Sequence, residues 1–141
     1  MTDLDRAKSL LAGHSIALCR GEQTLVGDDR GISPMTGFIG EGKDLAGFSV
    51  ADKIVGKAAA LLFVFAGIEE VWAEVLSEAG AEVLRVHGIP YACENLVPHI
   101  VNRKGDGICP METTVRDISD PAPADAALKK KLPAPRADGK I

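Results

Sequence analysis

The chain has 141 residues, of which 46% are hydrophobic, 26% charged and only 4% aromatic, with a formal net charge of −4. That length suits one domain with a single buried core. The acidic balance argues against nucleic acid as a partner, since a phosphate backbone favours a basic face. It leaves open a small anionic ligand held by local dipoles. Fifteen glycines and eight prolines imply short elements joined by many turns.

Leu4, Ala7, Leu10 and Leu11 share one face of a predicted helix over 3–12 that ends at Gly13. This N-terminal stretch is acidic and holds no apolar core of signal-peptide length. Two short strands follow, 15–19 and 23–26, around a Gly-Glu turn. The glycine-rich connection after them accommodates one helical turn after Pro34. A strand then leads into a helix for which Asp52 is the expected N-cap and Gly67 the stop. Between Ile54 and Ala66 the only residue neither apolar nor glycine is Lys57, so this helix is expected to be buried on most sides. The apolar run at 58–68 is shorter than the about 20 residues a bilayer span requires, which predicts a cytoplasmic protein without a membrane partner.

A buried strand is predicted through Val71, Ala73 and Val75, then a helix over 77–88 capped by Ser77 and ended at His87-Gly88. Residues 89–98 contain a further strand, and 110–118 the last core helix. The segment 119–141 is rich in alanine, proline and lysine and reads as one or two weak helical turns within a mobile tail, beyond a single domain at 1–118. Alternation of strands and helices predicts an α/β fold, a three-layer α-β-α sandwich with a mixed sheet.

Ligands of such sheets sit beyond the carboxyl ends of the strands, near helix N-termini. That rule selects Asp52–Lys57, Ser77–Gly80 and Cys109–Glu112. The stretch "ADKIVGKAAA" resembles a phosphate-binding loop but lacks the earlier glycine, replaced by Ala51, and the hydroxyl after the lysine, replaced by Ala58. Lys53 and Lys57, spaced as neighbours on one helical face, with Gly56 between them, suit a phosphate or carboxylate. Alternatively Lys57 extends its charge to the helix edge or pairs with an internal acid. Ser77 is an N-cap whose hydroxyl also lies at the ligand edge, and Arg103 either clamps an anion or pairs with Asp106.

In "ICPMET" Pro110 suits the first helical position, which places Cys109 at the cap, where unpaired N–H groups favour a thiolate. Cys109 is then a nucleophile, with Glu112 or Lys57 as acid or base. The alternative is an inert cysteine, with Glu112 reaching back to cap its own helix. Cys19, Cys93 and Cys109 form no disulfide pattern, and His14, His87 and His99 are not spaced as a metal pair. No metal or cofactor is expected.

Together "DKIVGKAAALL", "AEVLSEAGAEVL", "LVPHIVNR" and "GICPME" resemble, over residues 14–118, an uncharacterised prokaryotic family of unknown function. The resemblance implies a cytidine-deaminase-like fold. Deaminases place His/Cys-x-Glu and Pro-Cys-x-x-Cys at two helix starts. Here those places read "GKAAA" and "SEAG", so zinc-dependent deamination is not expected. The reading ranked first is a metal-free, small-molecule binding domain for a nucleotide-like or other anionic metabolite. A thiol transferase or hydrolase using Cys109 comes second, and a structural or regulatory homodimer third.

Overall fold

In the computed structural model, which describes residues 2–28, 32–100, 112, 114, 115, 117, 118 and 120–131, the first helix opens with a capping box. The Thr2 hydroxyl accepts the Asp5 N–H at 3.1 Å, and the Asp5 carboxylate accepts the Thr2 N–H at 3.2 Å. This starts α1 (Asp3–Leu10). The hairpin expected next forms from β1 (Ile16–Arg20) and β2 (Gln23–Gly27), turning through Gly21 at φ 59°. After it, α2 (Ser33–Gly40) is longer than the single turn expected from Pro34.

Three parallel strands and two helices follow. They are β3 (Ser49–Val55), α3 (Lys57–Ala66), β4 (Glu70–Ser77), α4 (Glu78–Val86) and β5 (Tyr91–Val97). The sheet runs β2-β1-β3-β4-β5; β1 is antiparallel to both its neighbours, and β3, β4 and β5 are parallel. The mixed sheet is therefore open, with β2 and β5 at its edges.

Alternating residues of the central strands enter two separate apolar clusters. Ala17, Cys19, Ala51 and Trp72 pack with Ala7 and Leu11 on the α1 side. Ile16, Leu18, Val50, Val71 and Ala73 pack on the opposite side with residues of α2, α3 and α4. This is the expected three-layer α-β-α sandwich, and it explains why Ile16–Cys19 is an unbroken buried run. Among the described residues no helix is long and apolar enough to cross a membrane.

The central helix of the thicker layer is α3, with Ala58 through Phe63 all buried. It packs against α4 and against a helix at Pro121–Lys131, here α5. The segment read as a tail thus contributes Ala124 and Leu128, both 0% exposed, to the main core. Its composition is weakly helical, but those two residues are spaced i,i+4 and meet an apolar neighbour in α3. As expected, Gly67 ends α3; its φ of 81° turns the chain so that the Ile68 N–H reaches back to the Phe63 carbonyl at 3.0 Å.

Asp52 is not the N-cap of α3. It lies inside β3, in register with Ile16 of β1 and Ala73 of β4, and the cap position falls to Gly56. An aspartate ahead of an apolar run looks like a cap, but strand pairing on both sides claims its backbone. Lys53 also lies on the strand and is exposed, so it shares no helical face with Lys57. Asp52 is only 6% exposed. Burial pushes its carboxyl up to about 8, against the opposing pull of backbone N–H groups at Ile54 and Lys53.

Two outcomes test this fold. Leu128→Ala should lower unfolding free energy by about 2–5 kcal/mol in urea titration, whereas a mobile tail would leave it unchanged. For Asp52, below about pH 4 both folded and unfolded chains hold the proton, and between about 4 and 8 only the folded chain does. Asp52 therefore removes stability as pH rises through that window and no further above it. Asp52→Asn should abolish this part of the pH dependence and be more stable than wild type at pH 8, with the gap closing towards pH 4, in thermal melts across pH.

Candidate functional site

The parallel strands β3 and β4 end side by side, and each passes straight into a helix. The two helix starts are built differently. At α4 the side chain of Ser77 accepts the Gly80 N–H at 3.0 Å, a local cap of the kind its sequence predicts. At α3 the cap residue is Gly56, which has no side chain to offer. The free N–H groups of its first turn are met from far along the chain. Lys57 N–H donates to Glu112 Oε1 at 2.7 Å, and Ala58 N–H donates to Oε2 at 2.8 Å.

Both contacts are charge-assisted, and the carboxylate also sits at the positive end of the α3 dipole. Glu112 has helical backbone, and its carboxylate caps α3. The anion that the sequence suggests for this helix start is thus present as one of the protein's own carboxylates.

Gly56 makes room for the carboxylate in this position. A Cβ there would lie 2.2 Å from Glu112 Oε1 and 2.4 Å from its Cδ. Its backbone, φ −106° and ψ −169°, is open to any residue, so the constraint is steric alone. Gly80 plays a matching part, since its Cβ would approach the Gly56 carbonyl carbon and oxygen to 3.0 Å. Two glycines therefore let the start of α4, the start of α3 and the Glu112 carboxylate close on one another.

Beside this junction lies a cleft of about 330 Å³. Its polar lining is Lys57, Ser77, His99 and Glu112; Ala79, Pro98 and Ile100 supply apolar wall. Lys57 is half-buried and forms part of the cleft wall. Of the residues singled out from sequence, Gly56, Lys57, Ser77 and Glu112 come together here. Asp52 and Lys53 lie on β3 and do not line the cleft. Arg103 and Cys109 fall outside the described residues, and with them the thiol reading.

His99 was not singled out from sequence. Its signal was the parallel register, because the end of β5 reaches the same sheet edge as the ends of β3 and β4. A second hollow, of about 240 Å³, lies between β2 and α2 and holds none of the residues singled out from sequence. Among the described residues no group of three or more His, Cys, Asp or Glu side chains is placed to hold a metal ion.

A double-mutant cycle tests the junction. Gly56→Ala and Glu112→Ala should each destabilise by about 1–3 kcal/mol, through loss of the same pair of hydrogen bonds. The double variant should fall short of their sum by about 1 kcal/mol or more. Additive losses in denaturant titration would show that Gly56 and Glu112 act independently.

Comparison with known proteins gives the same architecture. A solved DUF1893 family protein from Thermotoga maritima, TM1506, matches with a TM-score of 0.84 at 24% sequence identity, over 94% of this chain and 92% of that chain. At that identity the likeness speaks for the fold alone. No curated protein matches the chain. The model of the family described as a domain of unknown function (DUF1893) matches residues 7–132, a span that takes in both the Gly56–Glu112 junction and α5. The chain belongs to the DUF1893 family.

Proposed function

We propose that this protein is a small-molecule binding domain whose ligand occupies the cleft beside the α3 and α4 starts. The observation that carries the reading is convergence. Side chains from the start of α3, the end of β4, the segment after β5 and the Glu112 position line one hollow at the carboxyl edge of the sheet. A volume of about 330 Å³ is at the small end of ligand sites, which suits a one- or two-ring metabolite. The mix of apolar wall with a cation, a hydroxyl, an imidazole and a carboxylate favours a polar molecule that is oriented by a few contacts.

The Glu112 carboxylate changes the ligand expected. It already holds the α3 N–H groups, and its charge opposes an external phosphate at that seat. The α3 start is therefore a built wall of the cleft and not its anion receptor.

Thermal-shift measurements over a metabolite panel test the reading. Ala79 is exposed in the first turn of α4 and borders the cleft. A ligand should raise the melting temperature of the wild type, and Ala79→Phe should remove that shift by filling the space. No shift across the panel, or shifts that Ala79→Phe leaves intact, would overturn it.

A further inference from the structure

The helix α3 holds the C-terminal part of the chain at two places. At its start, the Lys57 and Ala58 N–H groups donate to the two Glu112 oxygens at 2.7 and 2.8 Å. Against its side packs α5, whose Ala124 and Leu128 are buried in the main core. Val115, which lies between Glu112 and α5 in sequence, is buried in the same cluster. None of these attachments is a strand pairing, since the five strands of the sheet all lie between Ile16 and Val97.

Releasing them would break no ladder hydrogen bond. It would return the Lys57 and Ala58 N–H groups, and the surface of α3 that α5 covers, to water. What opposes release is limited. The helix α5 has 11 residues, begins Pro-Ala-Pro, and of its described apolar residues buries only Ala124 and Leu128. A helix of that length does not hold itself in water. An element with few buried apolar contacts opens at lower free energy than the sheet it rests on. Glu112 and α5 are joined by a short run of chain, so each docked end keeps the other near α3.

We propose that Glu112, Val115 and α5 form a strap that docks on α3 as one cooperative unit, and that its release opens the Glu112 wall of the cleft while the sheet stays folded. Docked, the strap places Glu112 in the lining. Undocked, it leaves the α3 start uncapped and the cleft without that wall. A ligand that binds only the closed cleft shifts the strap towards docking, by reciprocity of binding and conformation. That last consequence rests on the small-molecule reading above; the strap itself does not.

Hydrogen exchange on the full chain in native conditions tests the unit without any ligand. Where exchange follows the opening equilibrium, the Lys57 and Ala58 amides should share one protection factor with those of Ala127 and Leu128. That value should lie about tenfold or more below those of the β3 and β4 amides, and low urea should change it less, because less surface opens. Leu128→Ala should speed exchange at Lys57 and Ala58 about tenfold or more, although Leu128 takes no part in their hydrogen bonds. Glu112→Ala should in turn speed exchange at Ala127 and Leu128 about tenfold. The wild-type pattern needs no variant, so it decides even if one of them fails to fold.

Protection at Ala127 and Leu128 equal to that of the strands would overturn the strap, because α5 would then open only with the whole fold. Unequal protection at the two sites, or exchange in α5 unmoved by a folded Glu112→Ala, would overturn it as well and leave two independent attachments. The cleft reading fails separately, on the metabolite panel.

Discussion

The arrangement around the cleft depends on a carboxylate satisfying the start of a helix that cannot cap itself. The helix α3 runs through the middle of the thick layer, and its first buried residue, Ala58, follows directly on Lys57. The N–H groups there are withdrawn from water by packing, and an unmet donor in such a place costs about 1–3 kcal/mol. A serine or aspartate at position 56 would meet them locally, as Ser77 does for α4. A side chain at 56 would instead strike Glu112 at 2.2 Å. Glycine at that position delegates the cap to Glu112, 55 positions beyond Lys57, and thereby ties a distant part of the chain to the first parallel βα unit.

That delegation divides what the sequence makes legible from what it hides. Ser77, Gly67 and the turn at Gly21 act on their own immediate backbone, so each is readable from a short window. The partner of Lys57 and Ala58 is not, because nothing local to "GICPME" says which helix its glutamate will meet. The GK pattern did signal an anion at α3. Whether that anion is internal or external is a tertiary fact. Asp52 shows the same limit from the other side. Its local chemistry suits a cap, but two neighbouring strands extend the ladder through it and leave a carboxyl buried at 6% exposure.

The C-terminal helix was hidden for a different reason. Its proline, alanine and lysine content gives little helix signal, and its order comes from contact with α3. Isolated helices of about this length are marginal in water. Ala124 and Leu128 supply the tertiary packing that makes up the difference. The apolar face of α3, which the sequence showed plainly, implied that some further element had to cover it; composition alone did not say that residues 121–131 were that element.

These constraints meet at the cleft. Because Glu112 is tethered to the same chain, an external anion competing for the α3 N–H groups faces a partner at an effective concentration of about millimolar or more. It must also displace two charge-assisted hydrogen bonds and accept repulsion from the carboxylate it pushes aside. Occupying the anion seat from within thus withdraws the α3 start from the surfaces that an external anion can use.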